Sequence, residues 1–266
     1  MIAYCSLYLK GAAMLSRSAV TIDLPKNTSS LPAEELAQNE IINLDGFERP
    51  HYNLKYYDTV PIEDQQQLAK QTSISKCKDL DYALPLLQKA EHVLEIGGGY
   101  GRILEYAIAH KLESHFDVIE PTKKFYAHLS QKFYNQIQSQ HFTILPSYIE
   151  DFHTDKQYDV VLWMWSQINE LTKYEILLSF QNLKQALAKE GTIFIDAVGF
   201  GKLPEHFKFS QNEYLFADLK YTLFRMTVLS PELLRKLAIQ AGFSQITYFD
   251  YFLESGIRRS MITLQH

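Results

Sequence analysis

The pattern of apolar and polar positions divides the chain into two parts near residue 79. The first part is mostly polar and rich in turns, with short helices predicted at 32–42 and 62–76 but no core pattern of its own. In the second part, continuous apolar runs typical of buried strands alternate with longer stretches of helical periodicity. We therefore predict an N-terminal extension and cap over 1–78 and one larger domain over 79–266.

The second part contains seven predicted strands and five predicted helices. The strands are predicted at 92–96, 116–120, 141–145, 158–164, 191–198, 243–252 and 258–265. The helices are predicted at 80–90, 101–112, 122–138, 172–189 and 230–242. Strands that alternate with helices of this length form a parallel sheet with helices on both faces, so the predicted fold class is α/β and doubly wound.

Composition and charge narrow the class of partner and the cellular location. The chain has 266 residues and a formal net charge of -5, whereas a nucleic-acid surface needs clustered Lys and Arg, so a nucleic-acid partner is unfavourable. Two cysteines and no apolar run of about 18 residues indicate a reducing, cytoplasmic location and no membrane span. The acid-poor residues 1–22 leave organelle targeting as a minor alternative.

A stretch of four glycines in residues 93–103 joins the first predicted strand of the second part to the helix that follows. Such a turn lets the backbone approach a ligand closely and directs free helix N–H groups at it. The phosphate-binding P-loop is excluded, because Arg102 or Ile103 stands where that motif requires its second glycine, and no Lys follows. The dinucleotide fingerprint also fails, because Arg102 or Leu104 occupies the position that must be small.

The spacing of Glu95, Gly97, Gly99 and Gly101 closely resembles motif I of the class I S-adenosylmethionine-dependent methyltransferases. The chemistry suits that donor, because an acid can hold its ammonium group while backbone N–H groups or an arginine hold its carboxylate. Glu120, at the end of the next predicted strand, is placed to accept hydrogen bonds from both ribose hydroxyls.

The resemblance extends over 79–266. It implies a Rossmann-like sheet of seven strands, mostly parallel with an antiparallel last strand, and S-adenosyl-L-methionine as the cofactor. Residues 148–152 resemble the segment that holds the adenine, and 187–196 resemble the fifth strand, although Glu190 replaces its first glycine. The donor-binding residues that the resemblance implies are Glu95, Gly97, Gly98, Gly99, Gly101, Arg102, Glu120, Pro121, Ile149, Glu150 and Trp163.

Sequence identifies the methyl acceptor mainly by exclusion. The motif of nucleobase and glutamine amino-group methyltransferases is absent after the fourth strand, and both cysteines precede the glycine motif, which disfavours a cytosine-C5 type of nucleophile. No metal site is expected, because Trp163 and Asp196-Ala197 replace the acids and the Asp-Asn pair of the metal-dependent relatives. The remaining candidates are the substrate-binding aromatics Trp165, Tyr56 and Tyr57 and the catalytic polar groups Asn169, Glu170 and Asp196.

Residues 99–103, 150–152 and 170–172 are also similar to the methyltransferases that act on α-amino groups at protein N-termini. That likeness implies that Arg102 binds the methionine carboxylate, that Trp165 packs on the substrate, and that Asn169 or Glu170 replaces a histidine. We expect methyl transfer to an N or O atom of a small or medium-sized acceptor. A protein or peptide N-terminal amine methyltransferase and a non-catalytic S-adenosylmethionine-binding regulator are the alternatives.

Overall fold

The structure is a computed structural model, and it describes residues 53–198, 208–209, 214–218, 223–227 and 229–266. The helix predicted at 32–42, the acid-poor N-terminus and most of the predicted cap over 1–78 lie outside the described residues. No helix among the described residues is long and apolar enough to cross a membrane.

Helices and strands alternate through most of the described chain. The helices are α1 (Leu54–Thr59), α2 (Ile62–Gln71), α3 (Lys78–Asp81), α4 (Leu84–Leu87), α5 (Arg102–Ala109), α6 (Lys123–Lys132), α7 (Tyr134–Gln138), α8 (Lys173–Ala186) and α9 (Pro231–Gln240), with 3₁₀ turns at Ile74–Lys76 and Gln167–Glu170. The strands are β1 (His92–Ile96), β2 (His115–Ile119), β3 (Phe142–Leu145), β4 (Tyr158–Trp163), β5 (Leu187–Val198), β6 (Lys208–Phe209), β7 (Tyr214–Asp218), β8 (Leu223–Thr227), β9 (Gln245–Phe252) and β10 (Arg258–Gln265).

Seven strands form the central sheet in the order β3-β2-β1-β4-β5-β10-β9. The five strands from β3 to β5 are parallel, and β10 runs antiparallel to both of its neighbours. This arrangement confirms the predicted Rossmann-like fold class, including the antiparallel last strand. The order reverses between β1 and β4, so the crossovers from these two strands leave toward opposite faces and open a crevice at their carboxyl ends.

Both faces of the sheet are buried, which explains the continuous apolar runs in the sequence. Along β1, Val93 packs into the core that contains α5, whereas Leu94 packs into the core that contains α8. Phe116 and Ile119 on β2 divide between the two cores in the same way. A strand buried on both faces has no polar side, so its sequence does not alternate.

Several elements differ from the sequence prediction, and one of them is β5, which begins at Leu187, inside the helix predicted over 172–189. The predicted helix over 80–90 is two short helices, because Pro85 lies in the first turn of α4 and cannot continue a preceding helix. The predicted helix over 122–138 breaks at Phe133 into α6 and α7. Strands β6, β7 and β8 form a separate three-stranded antiparallel sheet within residues 199–229, where no element was predicted.

We predict that Thr172→Ala lowers the free energy of unfolding by about 1 kcal/mol, because it removes the cap of α8. The hydroxyl of Thr172 accepts from the Glu175 N–H at 3.1 Å, and the Glu175 carboxylate accepts from the Thr172 N–H at 2.6 Å. Urea unfolding measures the change. The control is Thr59→Ala at an exposed helix end, expected to cost less than about 0.5 kcal/mol, and equal costs for the two variants would contradict the capping role.

Candidate active site

A cavity opens at the carboxyl ends of β1 to β4, where a doubly wound sheet binds its ligands. Its volume, taken as the space open to a water molecule, is about 160 Å³. Its lining comprises Asn53, Leu54, Tyr57, Gln65, Ile96, Gly97, Gly99, Tyr100, Ile119, Glu120, Pro121, Thr122, Phe125, Tyr148, Ile149, Glu150, Trp163, Trp165, Gln167, Glu170 and Leu171. Within this described lining there are three glutamates and no Lys, Arg or His, so its ionisable groups favour a cationic ligand.

The glycine turn after β1 contributes two of its four glycines to the cavity. A Cβ atom at Gly99 would meet nothing within 4 Å, and its φ of +52° lies in the left-handed region that favours glycine. A Cβ atom at Gly97 would collide with the side-chain amide of Gln167, which donates a hydrogen bond to the Gly97 carbonyl at 2.7 Å. Gly99 therefore leaves room for a ligand, whereas Gly97 leaves room for Gln167.

The other two glycines of the turn face the protein interior. A Cβ atom at Gly98 would lie 2.6 Å from Val118 and 2.7 Å from Leu129, and one at Gly101 would lie 2.5 Å from the ring of Phe133. Neither glycine lines the cavity, although both were predicted to bind the cofactor. Their small size lets the turn pack tightly against β2 and α6.

Glu120, directly after β2, holds the glycine turn from the opposite side of the crevice. Its carboxylate accepts from the Gly99 N–H at 2.8 Å and from the N–H and hydroxyl of Thr122, with the N–H at 2.9 Å. Burial raises the pKa of Glu120 above its ordinary value, and the hydrogen bonds from Thr122 and Gly99 oppose that shift. Pro121, the next residue, also lines the cavity.

Glu95 and Arg102 lie behind the glycine turn instead of in the cavity lining. The guanidinium of Arg102 binds the buried carboxylate of Asp79 through two bonds of 2.8 and 2.7 Å. Because Asp79 occupies these donors, the arrangement gives Arg102 a structural contact in place of the predicted grip on the methionine carboxylate. Burial raises the pKa of Glu95 well above its ordinary value, and Arg102 opposes that shift.

The segment after β3 lies at another wall of the cavity. Ile149 and Glu150, for which an adenine contact is predicted, both line it, and Tyr148 lines it too. The side-chain amide of Asn182 on α8 donates to the carbonyls of Ile149 at 3.3 Å and Glu150 at 2.7 Å, which fixes the backbone of this segment. Burial raises the pKa of Glu150 to about 7.

The turn after β4 supplies the fourth wall. Trp163 and Trp165 both line the cavity, and the Trp165 indole meets the Tyr100 ring edge-on, with centroids 6.1 Å apart. Gln167 lies two residues further on. Its Oε1 atom is buried and has no hydrogen-bond partner among the residues that the structure describes. Glu170 ends the turn with its carboxyl in the same cavity.

Glu170 lies under the first helix of the described chain. Its carboxylate accepts hydrogen bonds from the Tyr57 hydroxyl and, at 3.4 Å, from the side-chain amide of Asn53. Burial raises the pKa of Glu170 to about 7, and the nearby charge of Glu120 adds to that shift. The two hydrogen bonds and the positive charge of Arg225, whose guanidinium donates to the Glu170 carbonyl at 3.3 Å, oppose it. Asn53 also exchanges hydrogen bonds of 2.8 and 2.9 Å with the backbone of Arg225 on β8, so α1 and β8 are joined over this end of the cavity.

Three residues that were predicted to contact the substrate or act in catalysis lie outside the lining of the cavity. Tyr56 is buried in the core beside Tyr57. The side chain of Asn169 is buried as well and donates to a backbone carbonyl of β8 at 3.4 Å. Asp196 is fully buried and accepts hydrogen bonds from Arg259 and Tyr251, so its carboxylate is occupied by protein groups.

The sequence prediction did not include several residues of the site. Gln167, Asn53, Tyr100 and Tyr148 line the cavity, and Asp79 binds Arg102 behind it. Tyr100 stands between two glycines of the motif, so its position in the sequence could have indicated that it lies at the site. Gln167 and Asn53 carry no comparable signal, because their contacts depend on segments that are distant in sequence.

Solved structures that share the fold include several methyltransferases. A SAM-dependent methyltransferase from Leishmania major is 19% identical, with 80% of this chain and 81% of that chain covered and a TM-score of 0.56. The 1,6-didemethyltoxoflavin-N1-methyltransferase from Burkholderia thailandensis, solved with S-adenosylhomocysteine bound, is 14% identical, with coverages of 82% and 91% and a TM-score of 0.58. The PH0226 protein from Pyrococcus horikoshii OT3 is 14% identical, with coverages of 83% and 99% and a TM-score of 0.61.

A search of curated protein sequences finds no significant match. The sequence profile described as AdoMet dependent proline di-methyltransferase matches residues 64–199, which is half of the chain. Its start lies within the segment predicted as the cap, and its end coincides with the carboxyl end of β5. The chain therefore belongs to the AdoMet-dependent proline di-methyltransferase family, and it is a class I methyltransferase that uses S-adenosylmethionine as its methyl donor.

Proposed function

We propose that the cavity binds the donor with its ribose at Glu120, its adenine at residues 149–150 and its amino-acid end at the glycine turn. Open space beside Gly99 supports this orientation, since a ligand can approach the backbone there. Oε1 of Gln167, which lines the cavity beside the turn, is buried and lacks a hydrogen-bond partner among the described residues. A buried acceptor without a donor is costly, and an ammonium group at the turn would supply the missing donor.

The observation that carries the proposal for the acceptor is the half-buried carboxyl of Glu170 in the cavity lining. A carboxylate in a cavity with no cationic side chain in its described lining is suited to an amine in its ammonium form. The aromatic rings of Tyr57 and Trp165 line the same cavity, and ring faces also attract organic cations. We therefore propose an amine nitrogen as the methyl acceptor and favour it over an oxygen atom.

When bound, S-adenosylmethionine supplies an electrophilic methyl group on a sulfonium centre. Glu170 acts on the amine: it binds the ammonium form, accepts one proton from it and so exposes the nitrogen lone pair. A carboxyl whose pKa is about 7 suits this exchange, because it gains and loses a proton near neutral pH. Trp165 and Tyr57 orient the acceptor and exclude water.

The family description specifies proline di-methylation. The nitrogen of a proline inside a chain is an amide without a free lone pair, so we propose the α-amine of an N-terminal proline as the acceptor. The similar N-terminal amine methyltransferases have a histidine at this position. We propose that Glu170 takes its role here, because both side chains can bind and release a proton. A small free amine is the second candidate.

A screen with methyl-labelled donor distinguishes these acceptors. We expect label on a peptide that begins with Pro and none on the same peptide with an acetylated N-terminus, because acetylation removes the attacking lone pair. Small amines without a peptide chain form the second arm. Label on the acetylated peptide, or only on molecules without an amine, would contradict the proposal.

We predict that Glu120→Gln weakens the binding of S-adenosylhomocysteine by about tenfold to a hundredfold, the usual effect of losing charge-assisted hydrogen bonds to a buried carboxylate. Calorimetric titration measures the change. The matched control is Glu105→Gln, an exposed glutamate on α5 that binds Lys132 at 2.7 Å. An unchanged affinity for S-adenosylhomocysteine in Glu120→Gln would contradict the proposed position of the ribose at Glu120.

We predict that Glu170→Gln lowers kcat/KM for the amine about a hundredfold or more while the affinity for S-adenosylhomocysteine stays within about twofold. In the wild type, kcat/KM should rise as the pH increases through about 7, because the carboxyl is protonated and inactive below its pKa. That rise should disappear in Glu170→Gln, leaving only the titration of the amine.

The comparison variant for this pH profile is Glu150→Gln, which removes the other cavity carboxyl with a pKa of about 7. At saturating donor, Glu150→Gln should keep the rise in rate through about pH 7. A rise that persists in Glu170→Gln, or one that vanishes only in Glu150→Gln, would show that Glu170 is not the group that accepts the proton.

A further inference from the structure

Two consecutive residues of the turn after β4 have a backbone conformation that side chains disfavour. The φ angles of Trp165 and Ser166 are 58° and 61°, in the left-handed region that residues other than glycine rarely adopt. Neither residue is glycine, asparagine or aspartate, so the local sequence does not favour this conformation. Contacts from elsewhere in the fold must therefore hold it.

Most of these contacts converge on Asp196 at the end of the neighbouring strand. Its carboxylate accepts from the backbone N–H of Trp165 at 2.9 Å, and its carbonyl accepts from the backbone N–H of Ser166 at 2.8 Å. Each of the two left-handed residues thus donates its backbone N–H to the same aspartate. The aspartate cannot reach a ligand, because it is fully buried and outside the cavity lining.

Arg259 on β10 completes the arrangement. Its guanidinium binds both carboxylate oxygens of Asp196, with the Nε bond at 3.1 Å, and donates to the Ser166 hydroxyl at 2.7 Å. Tyr251 donates to the same carboxylate at 2.7 Å. Arg259 is 6% exposed, so this is a buried ion pair in which Asp196 holds both Trp165 and Ser166 and Arg259 also holds Ser166.

We propose that Asp196 and Arg259 are a positioning pair that holds the turn after β4 so that Trp165, Gln167 and Glu170 face the cavity. This inference rests on the proposed function only in the roles it gives to those three side chains. It also revises the catalytic role predicted for Asp196, since the aspartate acts through the turn and touches no reacting atom.

The test compares Asp196→Asn with a matched buried aspartate that lies outside the cavity lining. Asp117 is 1% exposed, binds Lys156 at 2.8 Å and accepts a hydrogen bond of 2.8 Å from Tyr158, so Asp117→Asn removes a similar ion pair. Both variants should be less stable than the wild type. Only Asp196→Asn should weaken the binding of S-adenosylhomocysteine, by about tenfold, when calorimetry is done well below the unfolding transition.

Tryptophan emission gives a second readout that a purely structural role would not change. The chain has two tryptophans, and Asp196→Asn should shift the emission to longer wavelength because Trp165 is released toward water. The shift should be absent when Asp196→Asn is combined with Trp165→Phe. Adding Ser166→Gly to Asp196→Asn should restore part of the affinity, because glycine adopts the left-handed conformation without strain.

Ser166→Ala keeps the experiment informative if Asp196→Asn does not fold. It removes only the hydroxyl that joins Arg259 to the turn, and it should weaken binding of S-adenosylhomocysteine by about threefold. The inference is overturned if folded Asp196→Asn and Ser166→Ala bind S-adenosylhomocysteine as tightly as the wild type and Asp196→Asn has the tryptophan emission of the wild type. If the wild type itself does not bind S-adenosylhomocysteine, the proposed donor site fails instead.

Discussion

The active-site cavity depends on one topological constraint, the reversal of strand order between β1 and β4. The chain leaves β1 toward α5 on one face of the sheet and leaves β4 toward α8 on the other, and the separate cores around these helices show the division. The crevice between the two crossovers cannot be closed by either helix. We therefore expect the methyl donor and the acceptor to bind side by side in this crevice, between the turns that follow β1, β2 and β4.

The charge of that crevice accounts for its chemistry. Its described lining carries Glu120, Glu150 and Glu170 and no basic side chain. Burial raises the pKa of each of these three carboxyls. The donor is positively charged, and the amine acceptor that we propose would be so in its ammonium form, so each would relieve the cost of burying these groups. The only arginine of the glycine turn, Arg102, is held behind the cavity by Asp79 and does not cancel this field.

The sequence was sufficient to predict the sheet and to indicate Gly99 and Glu120, which line the cavity, because those features are encoded locally. Glu120 follows the end of a strand, and Gly99 belongs to a motif whose residues all lie within one short stretch of sequence. The contacts of Asp196 were not predictable, because Arg259 comes from a strand 63 residues later. The role of Gly98 was missed for the same reason, since the side chains that exclude a Cβ atom come from β2 and α6.

The central claim is that donor and acceptor share this cavity with the amine at Glu170. A crystal structure of the enzyme with S-adenosylhomocysteine and a peptide that begins with Pro tests it most directly. The account predicts hydrogen bonds from the ribose hydroxyls to Glu120 and from the peptide amine to Glu170, with Trp165 against the peptide. A complex in which the peptide amine lies away from Glu170, or in which the ribose binds elsewhere, would contradict the account.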